Sequence, residues 1–197
     1  MSIEILENNS DYRYMLFKSK YIEEHLSEIL YQTDLVADII KERLESAESN
    51  VTWLYKKYNI FAYASGSPAY FSIYKDLNDC VSAYCKEYSV PTNNLWMRNW
   101  LNYHNYSEVL KLHDHEVMAH GYISIQPQFT ETVFVDDYGV ERYAVVNKPG
   151  QIYLGPGKRK HYVKNLEEYS EKRITIGLDL ETNMMPGVNL GCLPVLV

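Results

Sequence analysis

Three of the chain's six histidines, His113, His115 and His120, fall within eight residues in K-L-H-D-H-E-V-M-A-H-G-Y-I-S-I. In an extended strand side chains alternate between faces, so His113 and His115 point one way and Asp114 the other. Two imidazoles on one face, about 6.5 to 7 Å apart along such a strand, can share one metal ion. His120 has the opposite parity unless a bulge intervenes, which suits it to contact with the ligands or to buried packing. His161 ends P-G-Q-I-Y-L-G-P-G-K-R-K-H, where a Gly-Pro-Gly turn between two strands can return the chain beside the first pair. Twelve residues on, K-R-I-T-I-G-L-D-L puts Arg173 and Thr175 on one strand face, opposite Ile174 and Ile176. An arginine inside a small barrel is costly without an anion, and a carboxylate-bearing ligand would supply one through paired, charge-assisted hydrogen bonds. The Thr175 hydroxyl would add another. The plain alternative is that Arg173 faces solvent on an edge strand.

These residues need a scaffold, and the periodicity of the chain supplies one. From Met1 to about Glu48 apolar residues recur at helical spacing, with Leu26, Ile29, Leu30, Val36, Ile39, Ile40 and Leu44 near one face and Thr33 or Asp34 placed to cap a second helix. His25 in this amphipathic stretch reads as a surface residue. Residues 51–63 are aromatic and β-branched enough for a strand, with a helix as the alternative, and 65–68 break the chain. Tyr70 to Tyr88 reads as a helix with Leu77, Cys80, Val81, Tyr84 and Tyr88 spaced for burial, ended by Ser89-Val90-Pro91. Beyond it Trp96, Arg98, Trp100 and Asn102 alternate with Met97, Asn99, Leu101 and Tyr103. Successive strands then run to about Leu180, with turns at 136–139, 148–150 and 155–160. The expectation is one α+β domain over 1–197. A mainly helical extension (1–68) packs on one face of a helix plus β-sandwich, jelly roll or small barrel (69–180), followed by a C-terminal tail (181–197).

Composition narrows the function classes. A hydrophobic content of 46% supports a core, and a net charge of -7 without a basic face argues against nucleic-acid backbone binding. Lys158, Arg159 and Lys160 are too few to change that. Three cysteines without metal-site spacing, the lack of a signal segment, and no apolar run of the roughly 18 to 20 residues needed to span a bilayer point to a cytoplasmic protein. Nineteen tyrosines with abundant Asn and Lys, all from AT-rich codons, fit a phage (hence a host cytoplasm) or an AT-rich bacterium. A homodimer is compatible with all of this.

The order W-x-N (Trp100, Asn102), H-x-H before G-Y-I-S-I, P-G-Q-I-Y-L-G-P-G-x(3)-H and R-I-T-I resembles the 2-oxoglutarate and iron(II) dependent oxygenase superfamily, most closely a group of short bacterial and phage proteins. The resemblance covers about Tyr70 to Leu180. It implies a double-stranded β-helix with Fe(II) held by an H-x-D/E pair and a distal histidine, and an R-x-S/T pair for the distal carboxylate of 2-oxoglutarate. Carried over, His113, His115 and His161 are the metal ligands, and Arg173, Thr175 and Asn102 belong to the cosubstrate. The implied reaction consumes O2 and 2-oxoglutarate, releases succinate and CO2, and hydroxylates a second substrate, for which a peptidyl or amino-acid side chain is the first expectation.

One position departs from that pattern. His115 stands where the carboxylate of the 2-His-1-carboxylate triad belongs. Either three imidazoles bind the metal, or His115 and His161 bind it with Asp114, Glu116 or water completing the shell. The rival resemblance is to cupins, which share the jelly roll. Gly150, Pro156, His161 and Asn165 meet their second motif with Lys158 in place of a glycine, whereas His120 stands where their first motif has glutamate. A cupin needs no interior arginine, so Arg173 with Thr175 favours the oxygenase. A metal-free jelly-roll binding module would leave four histidines and Arg173 in this order as accident.

Overall fold

The computed structural model describes residues 2–43, 58–108, 110–182 and 191–196. In chain order these form β1 (Ile3–Asn9), β2 (Tyr14–Ser19), α1 (Lys20–Glu24), α2 (Leu26–Arg43), α3 (Ile60–Tyr63), α4 (Pro68–Tyr88), β3 (Trp96–His104), β4 (Ala119–Gln126), β5 (Thr130–Val135), β6 (Glu141–Val146), β7 (Gln151–Pro156), β8 (Lys160–Asn165), β9 (Arg173–Glu181) and β10 (Cys192–Pro194). No described helix is long and apolar enough to cross a membrane.

Two antiparallel sheets face each other, a seven-stranded one in the order β1-β2-β7-β4-β9-β3-β10 and a three-stranded one in the order β6-β5-β8. This is the layout of a double-stranded β-helix, an α+β architecture with helices against one sheet. Period-two alternation sorts each central strand of the larger sheet into two faces. On β9, Ile174, Ile176, Leu178 and Leu180 point outward to a core shared with Ile29, Ile40, Ile73 and Leu77 of the helices. Burying each such side chain contributes about 1.5–3 kcal/mol. The intervening Arg173, Thr175 and Gly177 point inward, toward the smaller sheet. The inner face also carries an aromatic cluster of Tyr14, Tyr122, Phe134 and Tyr153.

Helix α4 forms as its sequence dictates. The Ser67 hydroxyl accepts from the Tyr70 N–H, Pro68 occupies the first turn, and Ser89 ends the helix in the left-handed region at φ 53°. Cys80 and Cys85 are buried within it, as small apolar groups. The alternation expected on β3 is present, and the turns at 136–139, 148–150 and near 157–158 connect the later strands.

The N-terminal reading needs correction, because residues 3–19 are strands and not helix. On β2, Tyr14 and Leu16 pack into the inner aromatic cluster while Met15 and Phe17 pack into the core shared with the helices, so both faces are covered and Y-M-L-F is a continuous apolar run without alternation, which a helical pattern absorbs. Thr33 does not cap a helix either. It sits within α2, donating to the Ile29 carbonyl at 2.7 Å and sharing a 2.7 Å contact with the Tyr70 hydroxyl, so α2 continues through it. The strand expected over 51–63 falls outside the described residues as far as 57; residues 60–63 form α3, capped by Asn59. His25 is exposed, as expected, at the end of α1. The tail returns to the larger sheet as β10, beside β3.

Candidate metal centre

The first two histidines do not sit on a regular strand. After β3 the chain makes a single antiparallel bridge, in which the His113 N–H donates to the His161 carbonyl at 3.1 Å and the His161 N–H to the His113 carbonyl at 2.9 Å. Backbone pairing thus sets the two imidazoles together, with ring centroids 4.4 Å apart. Two residues later the Val117 N–H donates to the His115 carbonyl at 2.8 Å, a three-residue turn. This turn is why strand parity fails for His120. The extended register is broken between 115 and the start of β4 at Ala119, and His120 turns into the same cavity as His113 and His115.

Three of the four rings, His115, His120 and His161, are stacked, and His113 meets His115 and His161 at 64° and 56°. His115 and His120 lie 3.7 Å apart at 13°, and His161 lies 4.9 Å from His120 and 5.5 Å from His115. On each ring Nδ1 faces an oxygen acceptor. His113 has the Lys111 carbonyl at 2.6 Å and His161 the Arg159 carbonyl at 3.0 Å, while His115 and His120 share Oδ1 of Asp179 at 3.1 and 3.0 Å. An oxygen of this kind can only accept, so Nδ1 carries the proton and Nε2 keeps its lone pair. Burial drives His161 well below the usual histidine range and His120 down to about 4, with neighbouring imidazoles adding to the effect. Burial also lowers His113. Neutral imidazoles are what a metal ion requires.

Donor atoms of His113, His115 and His161 lie within 4.8 Å of one another, as do those of His115, His120 and Asp179. Three imidazole nitrogen donors fit a first-row transition ion and leave open positions for other ligands. Asp114 and Glu116 are exposed and belong to neither group.

The same cavity, about 330 Å³, contains Asn102, Arg173 and Thr175. Arg173 is 3% exposed, which excludes the solvent-facing alternative. Its Nη1 lies 3.4 Å from Nδ1 of His104, its Nε has no hydrogen-bond partner, and no described carboxylate forms an ion pair with it. Burial lowers it to about 10. Asn102 does not face the cavity alone: its amide donates to the Thr175 hydroxyl at 3.1 Å and its oxygen accepts from Trp100 Nε1 at 3.2 Å. The Trp100 ring lies across Gly177, where a Cβ would stand 2.2 Å from Trp100 Cε2.

Sequence reasoning missed Asp179 and His104. The alternation that placed Arg173 and Thr175 inward extends through Gly177 to Asp179, and that of Trp100 and Asn102 extends to His104. Both signals were available.

The chain resembles solved structures in its fold. It superposes on a non-heme alpha ketoglutarate dependent carbocyclase, SnoK of nogalamycin biosynthesis, with a TM-score of 0.57 over 91% of this chain and 88% of that one at 10% identity. A Shewanella oneidensis protein assigned as an oxygenase gives a TM-score of 0.56 over 96% and 84% at 13% identity. The likeness is one of fold, the double-stranded β-helix. The chain spans about 60% of the length of a further solved structure, an oxidoreductase of the 2OG-Fe(II) oxygenase family from Burkholderia pseudomallei, matched over 59% of this chain at 14% identity and a TM-score of 0.45. No protein-family model and no curated protein matches. In this chain's double-stranded β-helix the histidine cluster and Arg173 share one cavity between the two sheets.

Proposed function

We propose that the protein is an Fe(II)- and 2-oxoglutarate-dependent oxygenase that hydroxylates a second substrate, a peptidyl or amino-acid side chain. The observation that carries this reading is Arg173, a buried cation with no carboxylate partner among the described residues, in the same cavity as the histidines. A desolvated guanidinium calls for an anion, and a dicarboxylate reaching from the metal to Arg173 answers both demands.

In this reading His113, His115 and His161 hold the ion through Nε2. Arg173 and the Thr175 hydroxyl take the distal carboxylate, and Asn102 fixes Thr175 while Trp100 fixes Asn102. When bound, the metal supplies the oxygen activation that couples oxidation of 2-oxoglutarate to succinate and CO2 with hydroxylation. The chain's own part is to orient the ligands and exclude water with the Trp100 and Tyr122 walls.

The test is metal analysis of protein purified without an affinity tag, with conversion of 2-oxoglutarate to succinate. Tight iron binding and succinate formation are expected. If Fe(II)-loaded protein shows no calorimetric or spectroscopic response to millimolar 2-oxoglutarate without oxygen, a cupin-type metalloprotein is the better description.

A further inference from the structure

The departure at position 115 leaves a question of charge. A facial triad with one carboxylate lowers the net charge of its metal by one; three neutral imidazoles do not. The interior supplies a carboxylate from a different strand. Asp179 of β9, cross-strand from His120 of β4, is fully buried, and its Oδ1 lies 3.1 Å from His115 Nδ1. We propose that Asp179 is a positioning residue that delivers, through the ring of His115, the negative charge that a carboxylate ligand would bring directly. This rests on the metal-binding reading above.

Three features carry it. Asp179 Oδ1 accepts from Nδ1 of His115, which fixes the tautomer and directs the Nε2 lone pair away from Asp179; a carboxylate in that place also makes the imidazole a stronger donor. A buried carboxylate is costly on its own, and a divalent ion beyond His115 offsets that cost. Finally, the stacked His120 takes the other hydrogen bond to the same oxygen, so Asp179 cannot swing away from the His115 ring without breaking two contacts. Burial pushes the Asp179 carboxyl up, and the two imidazole N–H groups more than reverse this, holding it below the usual carboxylate range.

The experiment uses the full chain, tag-free, with Co(II) as the probe and no cosubstrate. D179N keeps the shape and the acceptor oxygen but removes the charge, and the expected loss of Co(II) affinity is roughly ten- to a hundredfold. The same change made in an H115D background should cost nothing, because position 115 then carries its own carboxylate. A D179N protein that binds Co(II) as wild type does, or an equal loss in both backgrounds, overturns the proposal; the latter includes the case in which Asp179 is itself a ligand. Should H115D fail to fold, the visible Co(II) bands of saturated D179N decide. Shifted bands support an electronic role for Asp179, and unchanged bands overturn it. Wild type that takes up no Co(II) overturns this proposal together with the metal reading. Uptake of Co(II) without any 2-oxoglutarate turnover overturns only the oxygenase reading.

Discussion

His113 and His161 are 48 positions apart in sequence, yet the N–H of each donates to the carbonyl of the other, at 3.1 and 2.9 Å. Two of the three imidazoles proposed as metal donors are therefore set by main-chain pairing, and a side-chain change at either position leaves the other in place. His161→Ala should keep its far-ultraviolet circular dichroism while Mn(II) or Fe(II) affinity falls by more than the roughly 10–100-fold typical of losing an outer partner. Full metal occupancy in the variant would show that the site has been misassigned.

Arg173→Lys keeps the charge but not the planar pair of donors. Its expected effect is a fall in 2-oxoglutarate affinity of one to two orders of magnitude, about 1.4 to 3 kcal/mol, with little change in metal affinity. Anaerobic titration of the metal-loaded variant measures both.

Gly177 is the one place on β9 where the Trp100 ring can lie flat against the strand. An alanine Cβ would stand 2.2 Å from Trp100 Cε2 and 2.3 Å from Cζ2, and the buried indole has no free end to bend. Gly177→Ala should lower stability by about 1–3 kcal/mol in urea denaturation. It should also weaken 2-oxoglutarate binding, because Trp100 holds Asn102 and Asn102 holds Thr175.

Acid should destabilise the metal-free protein over a definite window. His120 is held down to about 4 in the folded chain, against 6.5 when unfolded, so between these values the unfolded state binds more protons. Stability is then full above pH 6.5 and declines as pH falls toward 4, by up to about 3 kcal/mol from His120, and His161 acts in the same direction. Asp179, whose carboxyl is held low, adds its own loss only in stronger acid. Urea midpoints measured across this range would show a fall with acid; midpoints independent of pH would contradict it.

The sequence made the inward column of β9 and the histidine sequence legible, because period-two alternation over a central strand has few readings. Arg173, Thr175, Asn102 and the four histidines all reach one cavity. What the sequence hid has specific causes. A turn closed by a single hydrogen bond at His115 reversed the parity of His120, and no local pattern announces such a turn. Strand β2 was mistaken for helix because a strand covered on both sides loses its alternation. Asp179 was missed because a lone acid in an apolar strand reads as an interruption until its two histidine partners are known.

The four histidines are divided between the two sheets. His120 belongs to β4 of the larger sheet, whereas His161 belongs to β8 of the smaller one, to which His113 is bridged. An ion held by His113, His115 and His161 would tie the smaller sheet to the larger one through the contact of His115 with Asp179 of β9, between two layers that also meet through aromatic packing. A three-stranded sheet is near the lower limit of independent stability. Occupancy of the centre should therefore be felt less by the helix-backed sheet than by β5, β6 and β8, whose amides would exchange with solvent more slowly as metal is added.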